Sequence, residues 1–273
     1  ACAMERATTS FASTRPTTKC MVDRACETTR ARVVRPRAGG ETWVGSRRRR
    51  EMGTIASVRL KTSNDLTREG SAMTVIEAWI SAAPHPIEVL PCVPAHGEIA
   101  LEALQVTARS PLGAIAYETG GLLIDSGWIR VLGAGHQRLA RTLAGWDGLP
   151  CDPGDAYPPG AMFIGDDVLG GMYAIDVGAL GAAAQGNICY FAPGSLAWLD
   201  TGKSYGDWLG HTIMTPVEAF SRWDGWETDV RSLPGTHAFL LDPPAWEPGP
   251  PFCDRGRRPV TMRELRDAIL RRG

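Results

Sequence analysis

The chain has 273 residues, 44% apolar and 22% charged, the composition of an ordinary globular protein near the upper size for one hydrophobic core. Its net charge of −1 hides a split: residues 1–53 carry 12 basic and 5 acidic side chains, leaving 17 basic against 25 acidic in the remainder. An acidic body lacks the basic face with which nucleic-acid binders displace counterions, and no run approaches the ~18 consecutive apolar residues of a membrane span.

Residues 1–57 read as an extension outside the folded part. They hold no apolar periodicity and include the run Arg47–Arg50. Three readings compete: an acid-poor transit peptide, a basic arm, or upstream sequence translated from a start placed too early. The lack of an amphipathic face favours the third, with Met52 or Met73 as a more natural beginning. In every reading the segment is expected to be disordered.

Residues 58–273 are expected to form a single α+β domain. In "SAMTVIEAWISAA", Val75, Ile76, Trp79 and Ile80 make the stripe of an amphipathic helix, stopped by Pro84 and Pro86. A second helix is expected from about Pro94 to Val106, with Ile99, Ala100, Ala103, Leu104 and Val106 inward. "LGAIAYETGGLLIDSGWIRVLGAG" reads as β-structure broken at Gly120-Gly121 and Asp125-Ser126-Gly127. After the Gly/Pro/Asp-rich loop 145–160, four strands are expected at 161–165, 171–176, 187–192 and 195–199. Ser204 with Asp207 opens a helix at "SYGDWLGHTIM". "TPVEAFSRW" and "DGWETDVRSL" are short helices, "HAFLLD" is a strand, and Thr261 with Glu264 caps a last helix. Helices, then a mostly antiparallel hairpin-connected sheet, then helices again give an α+β protein rather than a βαβ repeat.

The motifs that carry chemistry are mostly missing. "DTGKSYGDWL" has the Gly-Lys-Ser of a phosphate loop, but Ala197 stands where the first glycine must let the backbone wrap the phosphates. No G-x-S-x-G or H-E-x-x-H occurs, and "GAGHQR" lacks the third glycine of a dinucleotide fold. The seven cysteines, at 2, 20, 26, 92, 151, 189 and 253, form no C-x-x-C and no zinc-ligand spacing with histidine. Without a secretory apolar stretch, reduced thiols and a cytoplasmic protein are the expectation. Cysteine–histidine catalysis stays open, since such partners meet only in space.

Two features remain. Asp166 and Asp167 in "FIGDDVLGGMYAID" suit a tight glycine-rich turn, whose N–H groups a carboxylate caps. A metal site would need further oxygens, for which Asp152 and Asp155 are candidates. Turn chemistry is the simpler expectation. "RWDGWETD" alternates Trp223 and Trp226 with charges, a pattern of aromatic anchors at protein interfaces.

The blocks "RSPLGAIAYETGGLLIDSGWIRVLGAG", "DDVLGGMYAIDVGAL", "GNICYFAPGSLAWLDTGKSYGDWL" and "RWDGWETDV" resemble the bacterial family known as domain of unknown function 2625, over about residues 58–270. A fainter similarity, in the Gly/Asp-rich hairpin, "NICYFAP" and "SYGDWL", extends to the SUKH superfamily of immunity and regulatory proteins. That likeness implies a protein that works by binding other proteins. The combined expectation is a non-catalytic protein-binding module without cofactor or metal, taking a basic protein partner on a surface that includes Asp166, Asp167, Trp223 and Trp226. The alternative is a small-molecule-binding protein or hydrolase using an acidic cluster made by the loop 145–160 with Asp166 and Asp167.

Overall fold

Most helices begin where the sequence supplies a cap or a proline to start them. In the computed structural model, which describes residues 60–144, 160–216 and 222–271, helix α1 (Ser63–Thr67) is opened by a capping box of Thr62 and Asp65. Helix α2 (Met73–Ser81) is followed by strand β1 (Ile87–Pro91), and Pro94 starts α3 (Pro94–Leu104). Ser110 accepts the Gly113 N–H at the head of α4 (Pro111–Glu118). Six strands follow, β2 (Thr119–Ile124), β3 (Ile129–Leu132), β4 (Ala161–Asp167), β5 (Met172–Asp176), β6 (Ile188–Ala192) and β7 (Ala197–Asp200). Ser204 caps α5 (Tyr205–Met214); α6 (Trp226–Ser232), β8 (His237–Asp242) and β9 (Gly256–Thr261) lead to α7 (Met262–Leu270), which opens with the Thr261–Glu264 capping box.

Strands β1 to β7 form one sheet in sequence order, every neighbouring pair antiparallel, while β8 and β9 pair separately. The protein is therefore α+β, with helices at both ends of a meander. Alternation along the strands sends side chains to two cores. Ile164, Tyr173 and Ile188 join residues of α2, α4 and α5 in the larger one. Phe163, Met172, Ala174 and Cys189 face the smaller one, closed by Ala238, Val260, Met262 and Leu265.

Residues 111–118 are helical, not the β-structure expected from their sequence. Gly113, Ala114, Ile115 and Ala116 are all buried, so the segment is apolar all round and the 3.6-residue period that marks a surface helix is erased. Strand β2 runs through Gly120 and Gly121 rather than breaking there. Val75 and Ile99, placed inward by the helical pattern, are 52% and 64% exposed, while Leu101 takes an inward position on α3. Strands β1 and β9 carry prolines or paired arginines and gave no alternating signal. Most of "TPVEAFSRW", most of the 145–160 loop and the N-terminal extension lie outside the described residues.

Candidate functional site

Strand β4 ends in the two acids that the sequence puts in question. Its register sets Asp166 opposite Arg130 of β3, and Arg130 Nε donates to Asp166 Oδ1 at 2.6 Å. Arg141 Nη1 donates to the other oxygen, Oδ2. All three side chains are at most 4% exposed. The remaining guanidinium hydrogens go to backbone: Arg130 Nη1 donates to the His237 carbonyl at 2.7 Å, and Arg141 Nη2 to the Gly235 carbonyl at 2.7 Å. This is a buried Arg–Asp–Arg triad that staples β3, β4 and the α6–β8 connection. Burial lowers the Arg130 pKa, and the Asp166 charge opposes that shift.

Asp167 is held differently. Its Oδ1 accepts the N–H of Leu169 at 2.8 Å and of Gly171 at 3.0 Å, and its Oδ2 accepts the Tyr190 hydroxyl at 2.7 Å. Gly170 has φ +89°, the left-handed conformation that glycine adopts without strain. At Gly171 a Cβ would collide with both Asp167 Oδ2 and the Tyr190 hydroxyl. Burial raises the Asp167 pKa against the pull of these hydrogen bonds. Burial, and then the Asp167 charge, push Tyr190 well above its ordinary value, so it remains a neutral donor.

Turn capping thus describes Asp167, while Asp166 is a strand residue neutralised by arginine. Neither belongs to an interaction surface, because both are 0% exposed. Each of their four oxygens already accepts a hydrogen bond from the chain, which leaves them ill-suited to hold a metal. Asp152 and Asp155 lie outside the described residues.

The tryptophans gather elsewhere. Trp128 meets Trp223 at 5.5 Å and Trp226 edge-on at 5.3 Å between ring centroids. Arg222, paired with Asp125, stacks over Trp226 at 4.2 Å, and Arg257 stacks over Trp223 at 4.1 Å. Trp223 Nε1 donates to Asp229 at 2.7 Å. Trp223 is buried at 6% exposure, so it supports the cluster from inside instead of presenting itself to a partner. Trp226 is half-buried, and Asp224, Glu227 and Asp229, its near neighbours in the chain, are exposed.

Residues 63–265 match the family described as Protein of unknown function DUF2625. The chain belongs to this family. It is 36% identical over 200 residues to the uncharacterised protein YbfG of Escherichia coli strain K12, covering 72% of this chain and 89% of that one. It is 34% identical over 188 residues to an uncharacterised protein of Haemophilus influenzae, covering 67% and 82%. No solved structure matches.

In this DUF2625 chain, Cys92 shares a cleft with His96 and His136. Burial raises the Cys92 thiol and pushes Cys189 up to about 12, so neither is a ready thiolate at neutral pH. His136 Nδ1 accepts the Arg138 N–H at 3.1 Å, which directs that lone pair away from proton transfer. Among the described residues no three His, Cys, Asp or Glu side chains gather as a metal site, and no helix is long and apolar enough to cross a membrane. Sequence reasoning missed Arg130, Arg141 and Tyr190. Arg130 did leave a signal: a single charge inside the apolar run "WIRVLG" is seldom buried without a partner.

Proposed function

We propose that this protein is a non-catalytic protein-binding module that receives a basic partner on the face of α6 and residues 222–225. The observation that carries this reading is the partly exposed Trp226, packed against Arg222 and Trp128, with exposed Asp224, Glu227 and Asp229 within three positions of it in the chain. A rigid aromatic anchor in a charged rim is the anatomy of an interface hot spot. The acidic rim, within a body carrying 25 acidic against 17 basic side chains, favours a cationic partner by steering encounter and rejecting acidic competitors. The SUKH likeness points to the same class. The hydrolase alternative loses support because Asp166 and Asp167, its proposed acids, are consumed in structural bonds.

The test is titration of the full chain with an arginine- and lysine-rich peptide, followed by tryptophan fluorescence and amide NMR. Shifts should centre on Trp226 and Glu227, weaken as salt rises, and vanish in Trp226→Ala. Shifts centred elsewhere, or unchanged by that substitution, would refute the docking face.

A further inference from the structure

We infer that the cleft between the β2–β3 turn, residues 137–140 and the α6–β8 connection binds a small organic anion, a phosphate or carboxylate on a short apolar body. The cleft encloses about 300 Å³, at the lower end of ligand pockets. Three arginines line it (Arg130, Arg138 and Arg231) and no aspartate or glutamate does. Ser126 and Gln137 add polar groups, while Leu123, Val230 and Leu233 supply an apolar wall.

The three arginines have different tasks. Arg130 is immobile, bound to Asp166 and to the His237 carbonyl, and forms a fixed positive wall. Behind it Arg141 shares the same carboxylate, so two guanidiniums face one acid there. These two side chains also cover carbonyl oxygens that would repel an anion, Arg130 that of His237 and Arg141 that of Gly235.

Arg138 and Arg231 are the exchangeable pair. Arg138 meets Glu88 with side-chain exposures of 47% and 52%, and Arg231 meets Glu227 at 3.4 Å with 60% and 55%. Exposed pairs of this kind contribute little and are readily given up. A phosphate or carboxylate entering the cleft offers each guanidinium the bidentate geometry that it prefers. Arg231 already donates to Ser126 Oγ at 3.1 Å, leaving that hydroxyl free to donate its own hydrogen to the ligand. A cation is repelled by such a lining, and a neutral apolar molecule would leave the guanidinium groups desolvated without compensation.

The site shares α6 with the docking face through the Arg231–Glu227 pair, and it is tested separately, with anions in place of a basic peptide. Calorimetric titration of the full chain with phenyl phosphate, benzoate and inorganic phosphate, at matched chloride ionic strength, should give saturable one-to-one binding. Phenyl phosphate or benzoate should bind more tightly than inorganic phosphate, and the stronger of the two names the anionic group. Arg138→Gln and Arg231→Gln should each weaken binding by roughly tenfold or more, with the urea midpoint unchanged because both side chains are exposed. Three results would overturn the inference: no saturable heat from any probe at millimolar concentration, binding that survives in the double variant, or inorganic phosphate binding as tightly as the aromatic anions.

Discussion

At one end of β5 and at the other, aspartates sit beside glycine-rich connections, yet the two ends differ in burial and in the presence of a countercharge. At the β4–β5 turn Asp166 lies between two buried guanidiniums, and Asp167 sits beneath Tyr190 with its pKa raised by burial. At the far end Asp176 gathers four backbone N–H groups, from Gly178, Ala179 and Leu180 on Oδ1 and Ala182 on Oδ2. Asp200 takes the N–H of Ala183 and Gly202 and the amide of Asn187. Burial alone would raise both of these acids, but the hydrogen bonds outweigh it and hold them below the usual carboxylate range. Asp166 meets a formal countercharge in the core, while the equally buried Asp167 is held by two backbone N–H groups and a tyrosine hydroxyl. A carboxylate screened only by the loop wrapped around it is satisfied by backbone dipoles.

The sharpest way to break the comparison is Asp166→Asn. The amide keeps the shape but removes the countercharge from Arg130 and Arg141, leaving two buried cations facing each other. Such a loss costs about 3–5 kcal/mol, read as a lower urea midpoint at pH 7. A cost below about 1 kcal/mol would mean that the arginines find other partners and that the triad is not a unit.

Asp176→Ala tests the other end and should cost less. It strips the acceptor from four N–H groups, but water can reach much of the loop. A loss of about 2 kcal/mol is expected, the range for hydrogen bonds to a charged group. The pH sign follows from the direction of the shift. A folded pKa below the unfolded ~3.9 gives stability that is present above that value and disappears as pH falls through the lower folded one. The native protein and Asp176→Ala should therefore converge in stability in acid. Parallel curves down to the acid transition would show that the carboxylate charge is irrelevant to the loop.

The sheet was largely legible because its hairpins carry their own punctuation: Pro193-Gly194 and Gly170-Gly171 bound strands whose apolar runs have strand length. Helix α5 and helix α7 were legible from Ser204 and from Thr261 with Glu264, whose caps are seen in the structure. Helix α4 was not, since burial on all sides removes its period. The acids were located, but what surrounds them was not. Asp166 and Asp167 are adjacent letters with identical local context, and only tertiary structure, strand register for Arg130 and the loop after β3 for Arg141, puts one against arginines 36 and 25 positions away. Trp223 and Trp226 were singled out together for the same reason, and packing on Trp128 assigns them to different depths. Sequence reports which residues a turn or a face can use. Register decides which of two neighbours is covered.

Asp167→Asn should have the smallest effect of the three, and it isolates charge from shape. The asparagine oxygen can still accept the Leu169 and Gly171 N–H groups that Asp167 Oδ1 accepts. Its nitrogen then faces the Tyr190 hydroxyl, which must accept instead of donate, at a cost of about 1 kcal/mol. Against this, the variant no longer buries a charge. Because the folded pKa of Asp167 is raised, the native protein's contribution from this group is fully present below the unfolded value of ~3.9. It is lost as pH rises through the folded value. Asparagine does not titrate, so the native advantage should shrink as pH rises from about 4 toward neutrality. Urea midpoints of both proteins across that range measure the difference directly, and the opposite pH dependence of Asp176 and Asp200 cancels because both proteins share it. An advantage that instead grows with pH would mean that Asp167 serves as a required negative charge. The two neighbouring acids would then be one site and not two.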